Sequence, residues 1–235
     1  MISIHNITKT YGTTQVLHIN KLDIPKGQAF GLVGNNGAGK TTLFNMLLDL
    51  IRPTTGYIVN HGITVNDSED WTTITSAFIG ESFLITYLTP EEYFEFIGSL
   101  RGMQKNDVHT FINQFDDFFN DEILNKKKYL RDLSKGNQKK VGIVAAMLGH
   151  PQVVILDEPF ANLDPTTQIR LKTLIKKITL NKDVTVLVSS HDLSHVTEVC
   201  ERIVVLDKGE VVNDIATSTE TLHDLERYFS ASVKN

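Results

Sequence analysis

A glycine-rich segment offers the clearest chemistry in the chain. Residues 34–41 read Gly-Asn-Asn-Gly-Ala-Gly-Lys-Thr and match the phosphate-loop pattern G-x-x-x-x-G-K-[ST]. Glycines let the backbone wrap closely around an anion, so that successive N–H groups point at phosphate oxygens. We expect Lys40 to reach the β- and γ-phosphates of a nucleotide, and the Thr41 hydroxyl to bind Mg²⁺. A chance glycine turn is the alternative, but an apolar run precedes the segment and a helical pattern follows it.

An acidic pair, Asp157 and Glu158, follows the apolar run Val153–Leu156. In doubly wound sheets, ligands bind at the carboxyl ends of the strands. Asp157 could hold Mg²⁺ directly or through water, and Glu158 could orient or deprotonate an attacking water. A solvated strand end is the alternative for such a pair on its own. In a chain that also carries a phosphate loop, the pair favours phosphoryl transfer.

The elements around these residues predict an α/β fold. Ala29–Val33 is a short apolar strand that enters the glycine-rich turn, and residues 41–51 follow as a helix. Continuous apolar runs at residues 153–156 and 184–188 are typical of a parallel sheet buried on both faces. Residues 203–206 and 211–215 predict a hairpin around Lys208 and Gly209, and residues 1–24 predict two or three short strands.

The middle of the chain has a helical character instead. Residues 89–92, Thr-Pro-Glu-Glu, predict a capping box with proline at the first helical position. Apolar side chains then recur at helical spacing, first over residues 93–100, next over residues 111–119, and again in a helix over residues 134–149. We therefore expect one domain over residues 1–235, with a core of residues 1–85 and 151–235 and a helical insert of about residues 86–150.

Composition restricts the classes of function. The 23 basic and 28 acidic residues give a formal net charge of −5, which disfavours nucleic acid as the main partner. Cys200 is the single cysteine, so no internal disulfide can form, as in proteins of reducing compartments. No secretory signal is visible, and the longest near-apolar stretch, residues 141–148, is too short to span a membrane. If the protein works on a membrane, we expect another chain to supply the spanning helices.

Five motifs in order resemble those of the ATP-binding cassette family, specifically the nucleotide-binding domain of a transporter. Besides the phosphate loop, residues 156–164 resemble the acidic strand and its continuation, and residues 133–138, Leu-Ser-Lys-Gly-Asn-Gln, resemble the LSGGQ signature. Residues 189–192, Ser-Ser-His-Asp, resemble the segment with the switch histidine, and Tyr11 lies where the family often stacks an aromatic ring on adenine. The resemblance covers essentially the whole chain.

The resemblance implies a P-loop NTPase (RecA-like) fold: a parallel sheet core, an N-terminal antiparallel β-subdomain and an inserted α-helical subdomain. It implies ATP and Mg²⁺ as cofactors, Glu158 and His191 as catalytic residues, and Thr41, Asp157 and Glu81 as metal-binding residues. The implied nucleotide-binding residues are Tyr11, Gly34, Asn35, Asn36, Gly37, Ala38, Gly39, Lys40, Thr41, Thr42, Ser134, Gly136 and Asp164. Ser134 and Gly136 would meet the γ-phosphate of ATP held by an opposite subunit, and Asp164 would contact that subunit. Ser134 and Asp164 are also expected to be ordinary helix N-caps.

Two departures from the family pattern stand out. The signature has Lys135 in place of a glycine and Asn137 in place of a glutamine. The glutamine that normally touches Mg²⁺ and links the nucleotide to the membrane partner is missing, because no glutamine occurs between Gln28 and Gln104. Glu81, or a water molecule, would take its place.

The first hypothesis for function is the ATPase subunit of a transporter, of exporter type. It would form a homodimer or heterodimer of ATPase subunits and dock on a separate transmembrane permease, on the cytoplasmic face of the cell membrane. A groove near residues 80–87 would receive the permease. The alternatives are a soluble cassette ATPase of an assembly or repair machine, and a regulatory subunit without hydrolysis. The presence of Lys40, Asp157 and Glu158 disfavours the regulatory reading.

Overall fold

The structure is a computed structural model that describes residues 1–180 and 182–232. In these residues ten strands form one mixed sheet with the spatial order β5-β4-β1-β2-β10-β9-β3-β8-β7-β6. The strands are β1 (Ile2–Tyr11), β2 (Thr14–Ile24), β3 (Ala29–Val33), β4 (Thr55–Asn60), β5 (Ile63–Thr64), β6 (Thr75–Phe78), β7 (Val153–Leu156), β8 (Thr185–Ser190), β9 (Arg202–Asp207) and β10 (Glu210–Ala216). The α-helices are α1 (Lys40–Leu47), α2 (Pro90–Leu100), α3 (Lys105–Ile112), α4 (Asp116–Phe119), α5 (Lys135–Ala145), α6 (Pro165–Thr179), α7 (Leu193–Val199) and α8 (Thr221–Ser232).

Five neighbouring strands, β9, β3, β8, β7 and β6, are parallel. All residues of β3, β7 and β8 are buried, as their continuous apolar character predicts. Both β3 and β7 pair in parallel with β8, so the carboxyl-terminal ends of β3 and β7 lie on the same side of the sheet. This topology brings the turn after Val33 and the acidic pair after Leu156 together. The predicted hairpin is confirmed, because β9 and β10 pair in antiparallel fashion.

The amino-terminal region differs from the prediction of two or three short strands. It forms two long antiparallel strands, β1 and β2, joined by a tight turn at residues 12–13. Their pairing runs from Ile2 opposite Ile24 to Tyr11 opposite Thr14, with one shift of register between Lys9 and Thr10. A single parallel bridge, Glu210 to His18, joins β10 to β2 and makes the antiparallel region continuous with the parallel strands.

Helices alone fill the chain between β6 and β7. The predicted capping box is present, because Thr89 N donates to Glu92 Oε2 over 2.8 Å and Glu92 N donates to Thr89 Oγ1 over 3.3 Å. The predicted apolar stripe over residues 111–119 is confirmed as part of the core, and a 3₁₀ turn, Asn113–Phe115, divides it between α3 and α4. Its phenylalanines still meet in the core, with Phe94 and Phe119 ring centroids 5.9 Å apart.

Two helices end earlier than predicted. The helix α1 stops at Leu47 instead of residue 51, and α5 stops at Ala145 instead of residue 149. Left-handed backbone follows α1 at Asp49, with φ 51°. After α5, residues 146–149 form turns, in which Met147 N and Leu148 N donate to carbonyl oxygens three residues back instead of four. The apolar pattern continues through these turns and so does not mark the end of the helix.

The helical insert and one face of the parallel sheet share a core. Phe94 and Phe119 of the insert belong to the same buried cluster as Leu156 and Val188 of the sheet. The opposite face of the sheet packs with α1 and the antiparallel strands in a second cluster, which includes Phe44. Because the insert and the sheet bury apolar side chains against each other, neither has a complete core without the other.

Arg101, at the end of α2, attaches the insert to the edge of the sheet. Its guanidinium donates to the carbonyl oxygens of Thr72, Thr73 and Thr75, over 2.7, 3.1 and 2.6 Å, and to Ser76 Oγ over 2.6 Å. We expect Arg101→Met to lower the free energy of unfolding by about 2 kcal/mol, because four acceptors lose a charged donor. Urea denaturation followed by circular dichroism measures this change.

Arg131→Met is the matched control for that measurement. Arg131 is exposed, and its guanidinium lies 4.0 Å from Asp132 and over the ring of Tyr129. We expect Arg131→Met to change the free energy of unfolding by less than about 0.5 kcal/mol. Equal denaturation midpoints for Arg101→Met and the parental chain would show that Arg101 does not hold the insert.

Candidate functional site

The glycine-rich turn connects β3 directly to α1. Gly39 has φ 107° and precedes Lys40, the first residue of α1. A Cβ atom at Gly34 would lie 2.2 Å from the carbonyl oxygen of Leu206, and one at Gly39 would lie 2.8 Å from Leu17 Cδ1. The loop therefore requires glycine at both positions. The amides of its residues and the amino-terminal end of α1 form an anion-binding cradle.

Lys40 places a cation at this cradle. The residue is 6% exposed, and its Nζ donates to the carbonyl oxygen of Gly34 over 2.7 Å. The same Nζ lies 3.4 Å from Glu158 Oε1. The predicted phosphate-binding lysine and the predicted base are thus neighbours, although they are distant in sequence.

Thr41 and Asp157 meet at the edge of the sheet. Thr41 Oγ1 donates to Asp157 Oδ2 over 2.7 Å, and Ser189 Oγ donates to Asp157 Oδ1. Asp157 is 7% exposed, so its carboxylate is nearly buried. One hydroxyl and one carboxylate suit Mg²⁺, which in nucleotide sites takes few protein ligands and completes its shell with phosphates and water. In residues 1–180 and 182–232, no group of three His, Cys, Asp or Glu residues could hold a metal by itself.

Glu158 is fixed through its backbone as well as its side chain. Its φ of 47° is left-handed, and its N–H donates to Ser189 Oγ over 2.9 Å. Its Oε2 lies 2.8 Å from His191 Nδ1. The structure therefore brings Glu158, His191 and Lys40 together, as the sequence motifs predict. Ser189 is an additional site residue: it holds both acidic residues, and its position at the end of a strand beside β7 could have suggested this role.

The signature segment begins α5. Ser134 is the N-cap, because its Oγ accepts from Asn137 N over 3.2 Å, and its side chain is exposed. Lys135, which stands where the family pattern has a glycine, is exposed too, so its charge lies in solvent. A Cβ atom at Gly136 would lie 3.3 Å from the carbonyl oxygen of Asn162, so glycine allows close packing against residues 158–164.

Asp164 is the N-cap of α6, as predicted. Its Oδ1 accepts from Thr167 N over 3.0 Å. Hydrogen bonds from the Thr167 hydroxyl and N–H hold the pKa of the Asp164 carboxyl below its usual value. Asp164 is exposed.

Tyr11 and Glu81 lie further from the phosphate loop along the chain. Tyr11 ends β1 and is 53% exposed, with Lys9 Nζ 4.9 Å from its ring centroid. Glu81 begins a 3₁₀ turn after β6, and its Oε1 lies 3.7 Å from Lys139 Nζ. Sequence reasoning missed Lys139, because a helical lysine is ordinarily solvated. Metal binding by Glu81 and adenine stacking by Tyr11 stay predictions.

A parallel sheet with a phosphate loop after one strand and an Asp-Glu pair after a nearby strand defines a P-loop nucleoside triphosphatase. Residues 17–161 match the family model described as "ABC transporter". The chain therefore belongs to the ABC transporter family, and it is an ATP-binding, ATP-hydrolysing cassette of that family.

Two relatives match most of the chain. The chain is 38% identical over 216 residues to the uncharacterized ABC transporter ATP-binding protein YhaQ of Bacillus subtilis. This match covers 90% of this chain and 70% of the relative. It is 32% identical over 238 residues to the bacitracin transport ATP-binding protein BcrA of Enterococcus faecalis. This match covers 98% of this chain and 73% of the relative.

A solved structure shares the fold. The dimeric post-hydrolysis state of the ATP-binding cassette MJ0796, bound to ADP and Pi, superposes with a TM-score of 0.83 at 27% identity. The match covers 93% of this chain and 99% of that chain.

The helices of the described ranges 1–180 and 182–232 include none that is long and apolar enough to cross a membrane.

Proposed function

We propose that Glu158 is the general base for ATP hydrolysis and that His191 holds the attacking water and the γ-phosphate. The observation that carries this assignment is the Glu158 carboxylate between Lys40 Nζ, at 3.4 Å, and His191 Nδ1, at 2.8 Å. Lys40 and the loop amides bind the phosphates, and Thr41 and Asp157 hold Mg²⁺. When bound, Mg²⁺ neutralises charge on the phosphate oxygens.

The same proposal includes a nucleotide sandwich of two cassettes, with this chain as a single ABC ATPase domain. The amino-terminal end of α5, with Ser134 and Gly136, faces the γ-phosphate of ATP held by the opposite subunit, because exposed helix amides favour an anion. Asp164 contacts that subunit, and Tyr11 stacks on adenine. The exposure of Ser134, Asp164 and Tyr11 supports these roles. Each site is complete only in the dimer.

ATP turnover measured against protein concentration tests the proposal. If the signature arrives from a second subunit, the rate per subunit rises with concentration and then saturates. A constant rate per subunit down to the lowest concentration would mean that one chain completes its own site. ATP binding with no turnover at any concentration would favour the regulatory alternative.

We further propose that the cassette is attached to a permease at the cytoplasmic face of the membrane. A groove of about 350 Å³ lies between the β6 edge of the sheet and α2. Leu50, Phe83 and Leu100 line it, and all three are more than half exposed. Tyr87, also exposed, follows on the same segment. An apolar groove of this kind suits an amphipathic helix of a membrane protein.

Phe83→Glu tests this attachment. A charge in an apolar contact removes a central anchor, so we expect the membrane-bound fraction of the chain in its native cells to fall by about 10-fold. The ATPase rate of the purified chain should stay within about 2-fold. Val212→Glu is the control, because Val212 is an exposed apolar residue of β10, outside the groove. Equal membrane-bound fractions for both variants and the parental chain would refute the groove as the docking site.

A further inference from the structure

Lys139 is a buried lysine that joins three segments of the chain. The residue is 4% exposed, and lysine is almost never buried to that degree without partners. Its Nζ donates to the carbonyl oxygens of Glu158 and Ala161, each over 2.9 Å. It also lies 3.7 Å from Glu81 Oε1. One ammonium group therefore connects α5, the turn after β7 and the turn after β6.

The first connection holds the backbone of the proposed base. Left-handed backbone at a residue other than glycine persists only where the surroundings hold it, and Glu158 has φ 47°. Ser189 Oγ holds the N–H of Glu158, and Lys139 Nζ holds its carbonyl oxygen. These two contacts fix the peptide groups on both sides of the Cα atom. The direction of the Glu158 carboxylate depends on both of them.

The second connection balances the charge of the lysine. Glu81 Oε1 is buried and accepts no hydrogen bond from the described residues, 1–180 and 182–232. The Lys139 ammonium is its ion-pair partner. Burial lowers the pKa of Lys139, and the charges of Glu81 and Glu158 oppose that effect. Glu81 thus favours the charged form of the Lys139 ammonium, which donates to the two carbonyl oxygens.

Glu81 also begins the segment that we assign to permease contact. It is the first residue of the turn Glu81–Phe83, and Phe83 lines the apolar groove. A contact at Phe83 and the ion pair at Glu81 are two residues apart on one turn. A displacement of this turn relative to α5 changes the distance between Glu81 and Lys139.

We propose that Lys139 is a positioning residue that couples the permease-facing turn at Glu81 to the backbone of Glu158. Movement of Glu81 shifts the ammonium against the two carbonyl groups and changes the direction of the Glu158 carboxylate. The coupling passes through one continuous series of contacts, each of which the structure contains. The inference rests on the proposed role of Glu158 as the base.

A double-mutant cycle tests the coupling. The variants are Lys139→Met, Glu81→Gln and the double variant, with the kcat of ATP hydrolysis and the Kd of ATP as readouts. We expect Lys139→Met to lower kcat by about 10- to 100-fold with Kd changed by less than about 3-fold, because a misplaced base slows chemistry without removing phosphate contacts. We expect Glu81→Gln to lower kcat by about 3- to 10-fold. The double variant should be no slower than Lys139→Met, because the two residues act through one contact.

The neighbouring ion pair supplies matched controls. Lys140 is 3% exposed, and its Nζ lies 3.3 Å from Glu122 Oε2, within the helical insert. We expect Lys140→Met and Glu122→Gln to keep kcat within about 3-fold of the parental value. A thermal melt of every variant separates lost folding from lost positioning. If Lys139→Met does not fold, Glu81→Gln decides alone. A lower kcat at an unchanged Tm and an unchanged Mg²⁺ concentration for half-maximal turnover supports the coupling. An unchanged kcat, or a lower kcat that a higher Mg²⁺ concentration restores, overturns it.

The remaining outcomes distinguish the two proposals. A parental chain that binds ATP and never hydrolyses it defeats the proposed function itself. An active parental chain with an unaffected Lys139→Met variant defeats the coupling alone. The coupling is equally defeated if the effects of Lys139→Met and Glu81→Gln multiply, because independent residues give that result.

Discussion

Glu158→Gln is expected to lower ATP turnover by about 10²- to 10⁴-fold, the range that a positioned general base contributes. Glutamine has nearly the shape of glutamate, so the hydrogen bond near His191 Nδ1, at 2.8 Å, keeps a partner oxygen. What disappears is the basic carboxylate. The loss of turnover should therefore appear in kcat, with little change in folding stability.

The same substitution should strengthen the ATP-bound dimer. Glu158 Oε1 lies 3.4 Å from Lys40 Nζ, the group that we propose binds the phosphates. Removing this negative charge removes repulsion of the phosphate. We expect Glu158→Gln to form a stable dimer with ATP, visible as a dimer peak in size-exclusion chromatography with light scattering, while the parental chain with ADP stays monomeric.

Glu210→Gln is the control for both effects, because Glu210 is an exposed carboxylate on β10, 3.7 Å from His18 Nδ1. It should leave turnover and elution unchanged. Two results would contradict the role of Glu158: turnover at the parental rate in Glu158→Gln, or a variant that remains monomeric with ATP.

The phosphate loop and the acidic pair could be predicted because each is a contiguous motif. Gly39, Lys40 and Thr41 depend on local backbone geometry, which the residue types determine. The meeting of Lys40 with Glu158 followed from one general rule, that parallel strands present their carboxyl ends at the same edge. Such site geometry requires only the order of the elements and no knowledge of side-chain packing.

The contacts of Lys139 could not be predicted in this way. Lys139 and Glu81 lie far apart in sequence, and their ion pair exists only because the helical insert packs against the edge of the sheet. A lysine in a helix usually extends into solvent, so the residue type predicts an exposed side chain at a position that is buried. The ends of α1 and α5 were missed for a related reason. Asp49 adopts left-handed backbone without being glycine, and the apolar pattern continues through the turns at residues 146–149, so residue type marks neither end.

The second large effect is expected for Lys40→Met. Methionine has a similar length and no charge, so the variant tests the ammonium group alone. A buried donor aimed at developing negative charge contributes about 10²- to 10³-fold to turnover. We expect turnover to fall by at least that factor. ATP affinity should fall by about 10-fold as well, because the ground-state phosphates lose the same partner. Isothermal titration with ATP and Mg²⁺ measures affinity, and a coupled assay measures turnover.

Folding should survive this change. Lys40 is 6% exposed, so keeping its ammonium out of water costs free energy in the parental chain. The substitution removes that cost, which offsets the loss of the 2.7 Å hydrogen bond to the Gly34 carbonyl oxygen. Lys172→Met is the matched control, because Lys172 is largely buried and its Nζ pairs with Glu198 Oε1, at 2.7 Å, away from the loop. The control should bind and hydrolyse ATP normally. If Lys40→Met hydrolysed ATP within about 5-fold of the parental rate, the phosphate charge would have to be neutralised by the loop amides and α1 alone.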